Sequence, residues 1–141
     1  MTTPETSTRS VIVEKEFAHP PQKVWRALTE SNLIEQWLMK NDFEPVTGHA
    51  FKLRMEPVPG WNGVIDCQVL KVEPFTTLAY TWGTMGMGSV VTFTLTPTET
   101  GTHVHVEQAG FKPDQDQAYK GATYGWRGFM GGLERVVAGL E

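Results

Sequence analysis

The stretch AYKGATYGWRGFMGGLERVVAGL, residues 118–140, decides the fold, and it carries two stripes. Tyr119, Ala122, Trp126, Phe129, Met130, Leu133, Val137 and Leu140 recur at three- and four-residue spacing, so they share one helical face. Gly121, Gly125, Gly128, Gly132 and Gly139 form a second stripe beside the first. Each glycine in a helix costs roughly 0.5–1 kcal/mol relative to alanine. Five along one side therefore imply that something packs closely there. The candidates are the sheet edge, the short helices near Trp25, or a second copy of the chain in a homodimer. A long helix with a broad aromatic face, following a run of β segments, implies a sheet wrapped around a helix with space between them. That space is where a function is expected.

Working outward, Val11, Val13 and Phe17 open a first strand that His19-Pro20-Pro21 bounds. Proline is tolerated at a helix start because its missing N–H has no helical partner there. Val24, Ala27 and Leu28 then predict a short amphipathic helix with Trp25 at its flank. Ser31 is placed to cap a second short helix carrying Leu33, Ile34, Trp37 and Leu38. From Asp42 the pattern changes to alternation: Phe51, Leu53 and Met55, then Val64 to Val72, then Leu78, Tyr80 and Trp82. Val91, Phe93 and Leu95 follow a glycine-rich connection, and Val104 and Val106 follow the Glu99-Thr100-Gly101 turn. Such alternation marks antiparallel strands with one face buried. The predicted order is strand, two short helices, about six strands, one long helix. Residues 1–9 read as a polar, disordered tail and residues 10–141 as a single domain.

Composition narrows the function. A net charge of −4 and the lack of any basic run argue against a nucleic-acid surface. The single Cys67 cannot form an internal disulfide and fits a reducing, cytoplasmic setting. The N-terminal residues lack the apolar run of a signal peptide, and no stretch reaches the roughly 18 apolar residues of a membrane span. Neither a cofactor nor a metal is expected.

His103, His105 and Glu107 alternate on one strand face, a donor set that suits a transition metal. Alternate strand positions lie roughly 6–7 Å apart, however, and Val104 and Val106 claim the buried face. A solvated sheet face is the better account. Gly83-Thr84-Met85-Gly86-Met87-Gly88 has the glycines of a phosphate loop, but Ser89 to Thr96 reads as strand, where such a loop needs a helix N-terminus. A hairpin connection is expected, with its two methionines over a cavity mouth. Asp66 and Gln68 share a face with Leu70 and Val72. In one register they are polar groups inside an apolar cavity; in the other Ile65, Cys67 and Val69 point inward. The pattern leaves both open.

These segments together resemble a known family. Val24-Trp25-Arg26-Ala27-Leu28 with Leu33 and Trp37 is one mark; Val72-Glu73-Pro74 leading to Leu78 and Tyr80-Thr81-Trp82 is a second. Gly101-Thr102 with Val104, Val106 and Gly110-Phe111, then Gly125-Trp126 and Leu133, completes the set. In order and spacing they resemble the START-like SRPBCC superfamily, in the branch named for activators of the heat-shock protein 90 ATPase. The resemblance implies an α+β helix-grip fold: a curved antiparallel sheet of six to seven strands around the long C-terminal helix, enclosing an apolar cavity. Gln108 stands where many members have histidine, and Phe75 replaces the second proline of the turn.

The expected function is the binding of a small, mainly hydrophobic molecule. Trp37, Phe51, Met55, Tyr80, Trp82, Phe93, Trp126 and Met130 are the candidate apolar wall, with Gln108 as an orienting polar group. One alternative is a polyketide cyclase or aromatase-like enzyme, which holds a reactive substrate in a productive fold and for which Asp66 is the candidate acid or base. A second is a protein-interaction module that activates a chaperone ATPase. That chaperone partner is disfavoured, because the larger co-chaperone grips its client with a further domain and none is read in this chain.

Overall fold

A computed structural model describes residues 9–84 and 87–140. The elements run β1 (Arg9–Phe17), α1 (Pro21–Thr29), α2 (Ser31–Trp37), β2 (Lys40–Asn41), β3 (Ala50–Arg54), β4 (Val64–Glu73), β5 (Thr77–Thr84), β6 (Met87–Pro97), β7 (Thr102–Phe111) and α3 (Asp116–Ala138). Seven strands form one curved antiparallel sheet in the order β1-β7-β6-β5-β4-β3-β2, so the first strand closes on the last. The helix α3 lies against its inner face, packed on β1, β7, α1 and α2. This is the helix-grip fold that the resemblance implies, with the sheet wrapped around a long helix that the periodicity anticipates. Arg9, assigned above to the tail, begins β1. Its guanidinium pairs with Asp116 at 3.1 Å and lies 4.1 Å from the Tyr119 ring centroid.

The strands bury alternate residues because a pleated strand turns every second side chain to the same face. Val104 and Val106 on β7, Val91 and Phe93 on β6, and Leu78 and Tyr80 on β5 are all buried. From α3, Trp126, Met130, Leu133 and Val137 complete this core. Burying such side chains contributes about 1.5–3 kcal/mol each, more than the roughly 0.5–1 kcal/mol that each glycine takes from the helix. Packing therefore decides that α3 forms.

Two local expectations are corrected. Ser31 does not cap α2: the N-cap is Glu30, with no side-chain cap bond. The Ser31 hydroxyl instead donates to Asn41 Oδ1 at 2.8 Å, while Asn41 Nδ2 donates to the carbonyls of Ser31 and Met39. One asparagine thus ties the start of α2 to β2. The glycine stripe is the second correction. Only Gly132 faces another element: a Cβ there would sit 3.4 Å from Trp37 Cβ. At Gly121 and Gly128 a Cβ would meet nothing within 4 Å, and at Gly125 only Phe129 of the same helix. The close approach is to α2, at one position.

Candidate functional site

Where the N-terminal half of α3 passes β5 and β7, the packing opens into a hollow of about 310 Å³. Trp82 and Thr84 of β5, Gln108 and Phe111 of β7, and Ala118, Gly121, Ala122, Gly125, Trp126 and Phe129 of α3 line it. The rim residues Ala118 and Gly121 are exposed, whereas Trp82, Gln108, Phe111 and Trp126 at depth are buried. The hollow exists because α3 carries glycine on this flank; side chains there would fill it.

One polar chain crosses the floor. Trp126 Nε1 donates to Gln108 Oε1 at 2.8 Å. Gln108 Nε2 donates to Ser89 Oγ at 2.9 Å, and Ser89 donates to the Trp82 carbonyl at 3.0 Å. An indole N–H can only donate, so the amide is fixed with its oxygen toward Trp126 and its nitrogen toward Ser89. Gln108 is 2% exposed, and a buried amide in apolar surroundings requires such partners.

Trp82 and Trp126 of the expected wall, and Gln108, the expected orienting polar group, meet at the hollow. Trp37, Phe51, Tyr80, Phe93 and Met130 lie elsewhere in the solid core. Their rings interlock, with Phe51–Tyr80 centroids at 5.2 Å, Tyr80–Phe93 at 6.0 Å and Phe93–Trp126 at 5.8 Å. Burial and then the neighbouring Cys67 hold the Tyr80 phenol well above its ordinary pKa, so it stays neutral. Its hydroxyl has no hydrogen-bond partner among the described residues.

Met55 is not part of an inner wall. It is 50% exposed and borders a separate depression with Leu38, Met39 and Arg54. The physical reason is that β3 ends one residue earlier: Lys40 pairs with Arg54, and the Met55 N–H then turns to the Gly63 carbonyl. The apolar alternation outlasts the strand. Phe111, Phe129 and Ser89 belong to the site but not to the expected set. Ser89 was readable, because it continues the inward period of Val91, Phe93 and Leu95.

The structure settles the register of β4. Ile65, Cys67 and Val69 are buried, and Asp66 and Gln68 point outward. A bulge between Val69 and Lys71 then reverses the phase, which leaves Leu70 exposed and returns Val72 toward the core. Asp66 forms an ion pair with Lys52 on the outer surface, far from any general acid-base role in the hollow. Cys67 is held as a thiol: burial, with the Asp66 and Asp42 charges, pushes its pKa up to about 12. Such a group is a poor nucleophile.

His103 lies on the outer face, with Nε2 2.8 Å from Glu14 and Nδ1 2.9 Å from Glu16. Those two carboxylates, Glu14 foremost, raise its pKa above the ordinary histidine value. Among the described residues no three His, Cys, Asp or Glu side chains are grouped to hold a metal. Thr84 pairs with Met87 across the hairpin; of the two methionines expected over a cavity mouth, Met85 lies outside the described residues, together with Gly86, and so does the Met87 side chain. No described helix is long and apolar enough to cross a membrane.

Fold and hollow together define a helix-grip protein of the START-like type. The family model described as activator of Hsp90 ATPase homolog 1-like protein matches residues 18–138, and the chain belongs to that family. Protein MLL2253 from Mesorhizobium loti is 52% identical over 94% of this chain and 99% of its own, with a TM-score of 0.88. BH1534 from Bacillus halodurans is 29% identical over 92% of this chain and 96% of its own, with a TM-score of 0.79. DynU16, from the dynemicin biosynthetic locus, shares the fold at 24% identity and a TM-score of 0.80; 92% of this chain matches 47% of that one. No curated protein matches the sequence.

Proposed function

We propose that this protein binds a small, mainly apolar molecule in the hollow beside the N-terminal half of α3. The observation that carries this is the hollow itself: about 310 Å³, walled by Trp82, Phe111, Trp126 and Phe129, with one buried amide at its floor. Ligand sites are characteristically concave and apolar with few placed polar groups, in volumes of roughly 300–1,000 Å³. An enzyme of the cyclase kind is less well supported, because Asp66 faces outward and, among the described residues, no ionisable side chain lines the hollow. Chaperone contact calls for an apolar outer surface. The outward positions His103, His105, Glu107, Asp66 and Gln68 are polar instead, with Ile12 and Leu70 as exposed apolar residues beside them.

Native mass spectrometry of protein purified without refolding tests the proposal, supported by titration with an apolar fluorescent dye. The expected result is a retained small molecule, and dye binding at micromolar concentration that quenches tryptophan emission. A bare protein that also leaves the dye unbound would sink it.

A further inference from the structure

The hollow contains more information than its apolarity. Its volume is about 310 Å³, and a dry apolar cavity of about 150 Å³ accommodates one benzene ring. Roughly two rings therefore fit. None of the lining residues is charged, so an ion placed at depth would lose its water without gaining a counter-charge. Gly121 and Gly125, one turn apart, present bare helix backbone to the space, and aromatic rings from β5, β7 and α3 form the rest. Rings of this kind pack favourably against other rings in offset or edge-on arrangements.

The polar floor adds a sign. The orientation of Gln108 is fixed by Trp126, and its Nε2 carries two protons. Ser89 accepts one of them. Among the described residues nothing accepts the other, although Gln108 is 2% exposed and lines the hollow. A buried donor left over in this way asks for an acceptor.

We infer that the hollow takes a neutral, planar molecule of two fused rings bearing one hydrogen-bond acceptor, such as an aryl ketone. The ligand lies over Gly121 and Gly125, and its acceptor meets the second amide proton of Gln108. This rests on the ligand-binding proposal above and specifies the class of molecule.

Three probes separate the two levels: 2-acetylnaphthalene, 2-isopropenylnaphthalene, which has the same shape with a methylene in place of the carbonyl oxygen, and dodecanoate. Binding is followed by calorimetry and tryptophan quenching. The ketone should bind about tenfold more tightly than the alkene, the worth of one net hydrogen bond, and more tightly than dodecanoate. Gly125→Leu should weaken the ketone at least tenfold without lowering the thermal midpoint. Gly128→Leu, on open surface outside the hollow, should leave its binding unchanged. Equal or tighter binding of the alkene or dodecanoate overturns the assigned class while leaving ligand binding intact. Undiminished ketone binding by Gly125→Leu overturns the location. Failure of all three probes, with no molecule retained from the host, overturns the ligand-binding proposal itself.

Discussion

The two halves of α3 carry the same glycine stripe and use it in opposite ways. At Gly132 a Cβ would already rest against Trp37 of α2, 3.4 Å from its Cβ, so nothing larger than alanine has room, and Trp37 is anchored in turn by its Nε1 bond to the Ala27 carbonyl at 2.8 Å. At Gly125 and Gly121, about two and three turns earlier, nothing from another element comes to fill the gap and the hollow remains. One half uses glycine for contact and the other for vacancy. A glycine stripe therefore signals a shape requirement, and only the neighbouring element determines which.

The largest expected effect comes at the boundary between the halves. Trp126 is 3% exposed, packs on Trp82, Phe93 and Phe129, and donates to Gln108. Trp126→Ala should cost about 3–5 kcal/mol in urea unfolding. Trp126→Phe should still cost about 1–3 kcal/mol, because Gln108 Oε1 is left buried without its donor. A loss below about 1 kcal/mol for Trp126→Ala would mean that water or a neighbour readily fills the site, and the boundary would not be rigid.

Next comes the comparison itself. Any side chain larger than alanine at Gly132 must push α2 aside, so Gly132→Leu should cost about 1–3 kcal/mol. Gly121→Leu meets no obstacle and should stabilise by about 0.5–1 kcal/mol through helix propensity. Thermal unfolding of the two variants beside the parent decides this, and shifts of the same sign would erase the distinction between the halves.

Smaller is the effect of Tyr80→Phe, in the solid part of the core. It removes a buried hydroxyl that has no partner among the described residues, so a gain of about 1 kcal/mol is expected. A measurable loss would instead show that the hydroxyl is satisfied and that this part of the core is more polar than its rings suggest.

The smallest effect belongs to neither half. His103 has a folded pKa raised by Glu14 and Glu16. A raised value means that its contribution is fully present below the ordinary histidine pKa of about 6.5 and is lost as pH rises through the folded value. Because the site is exposed, the amount is a few tenths of a kcal/mol. Stability measured from pH 6 to pH 9 should fall slightly in the parent and stay flat in His103→Gln. An equal slope in both would assign it to another group.

Much of the fold was legible because it rests on period. The helix from Tyr119 to Val137 and the alternation of Val91, Phe93 and Leu95 each follow one geometric repeat, and both elements are present. Period fails where two phases compete. In β4, Ile65-Cys67-Val69 and Leu70-Val72 are both apolar and out of step, and only the bulge reconciles them. It fails again at Met55, where the apolar rhythm runs on past the last ladder pair. The hollow was legible only in part. Trp82, Gln108 and Trp126 could be named from their faces, but the space between them comes from side chains that are missing, and vacancy leaves no periodic mark.

The pairing of β1 with β7 has a consequence for how the chain is assembled. Val11 meets Gln108 and Phe17 meets Thr102, so the sheet cannot close until almost every intervening segment has found its place. Contacts this distant in sequence place a domain among the slower two-state folders, in the range of roughly milliseconds to seconds. The helix α3 comes last in the element order, so during synthesis seven strands emerge before the element that covers them. Until α3 docks, the sides of Trp82 and Phe93 that pack on Trp126 are uncovered, the kind of apolar surface through which nascent chains associate. The vulnerable interval in this protein's life is therefore the delay before its last helix arrives.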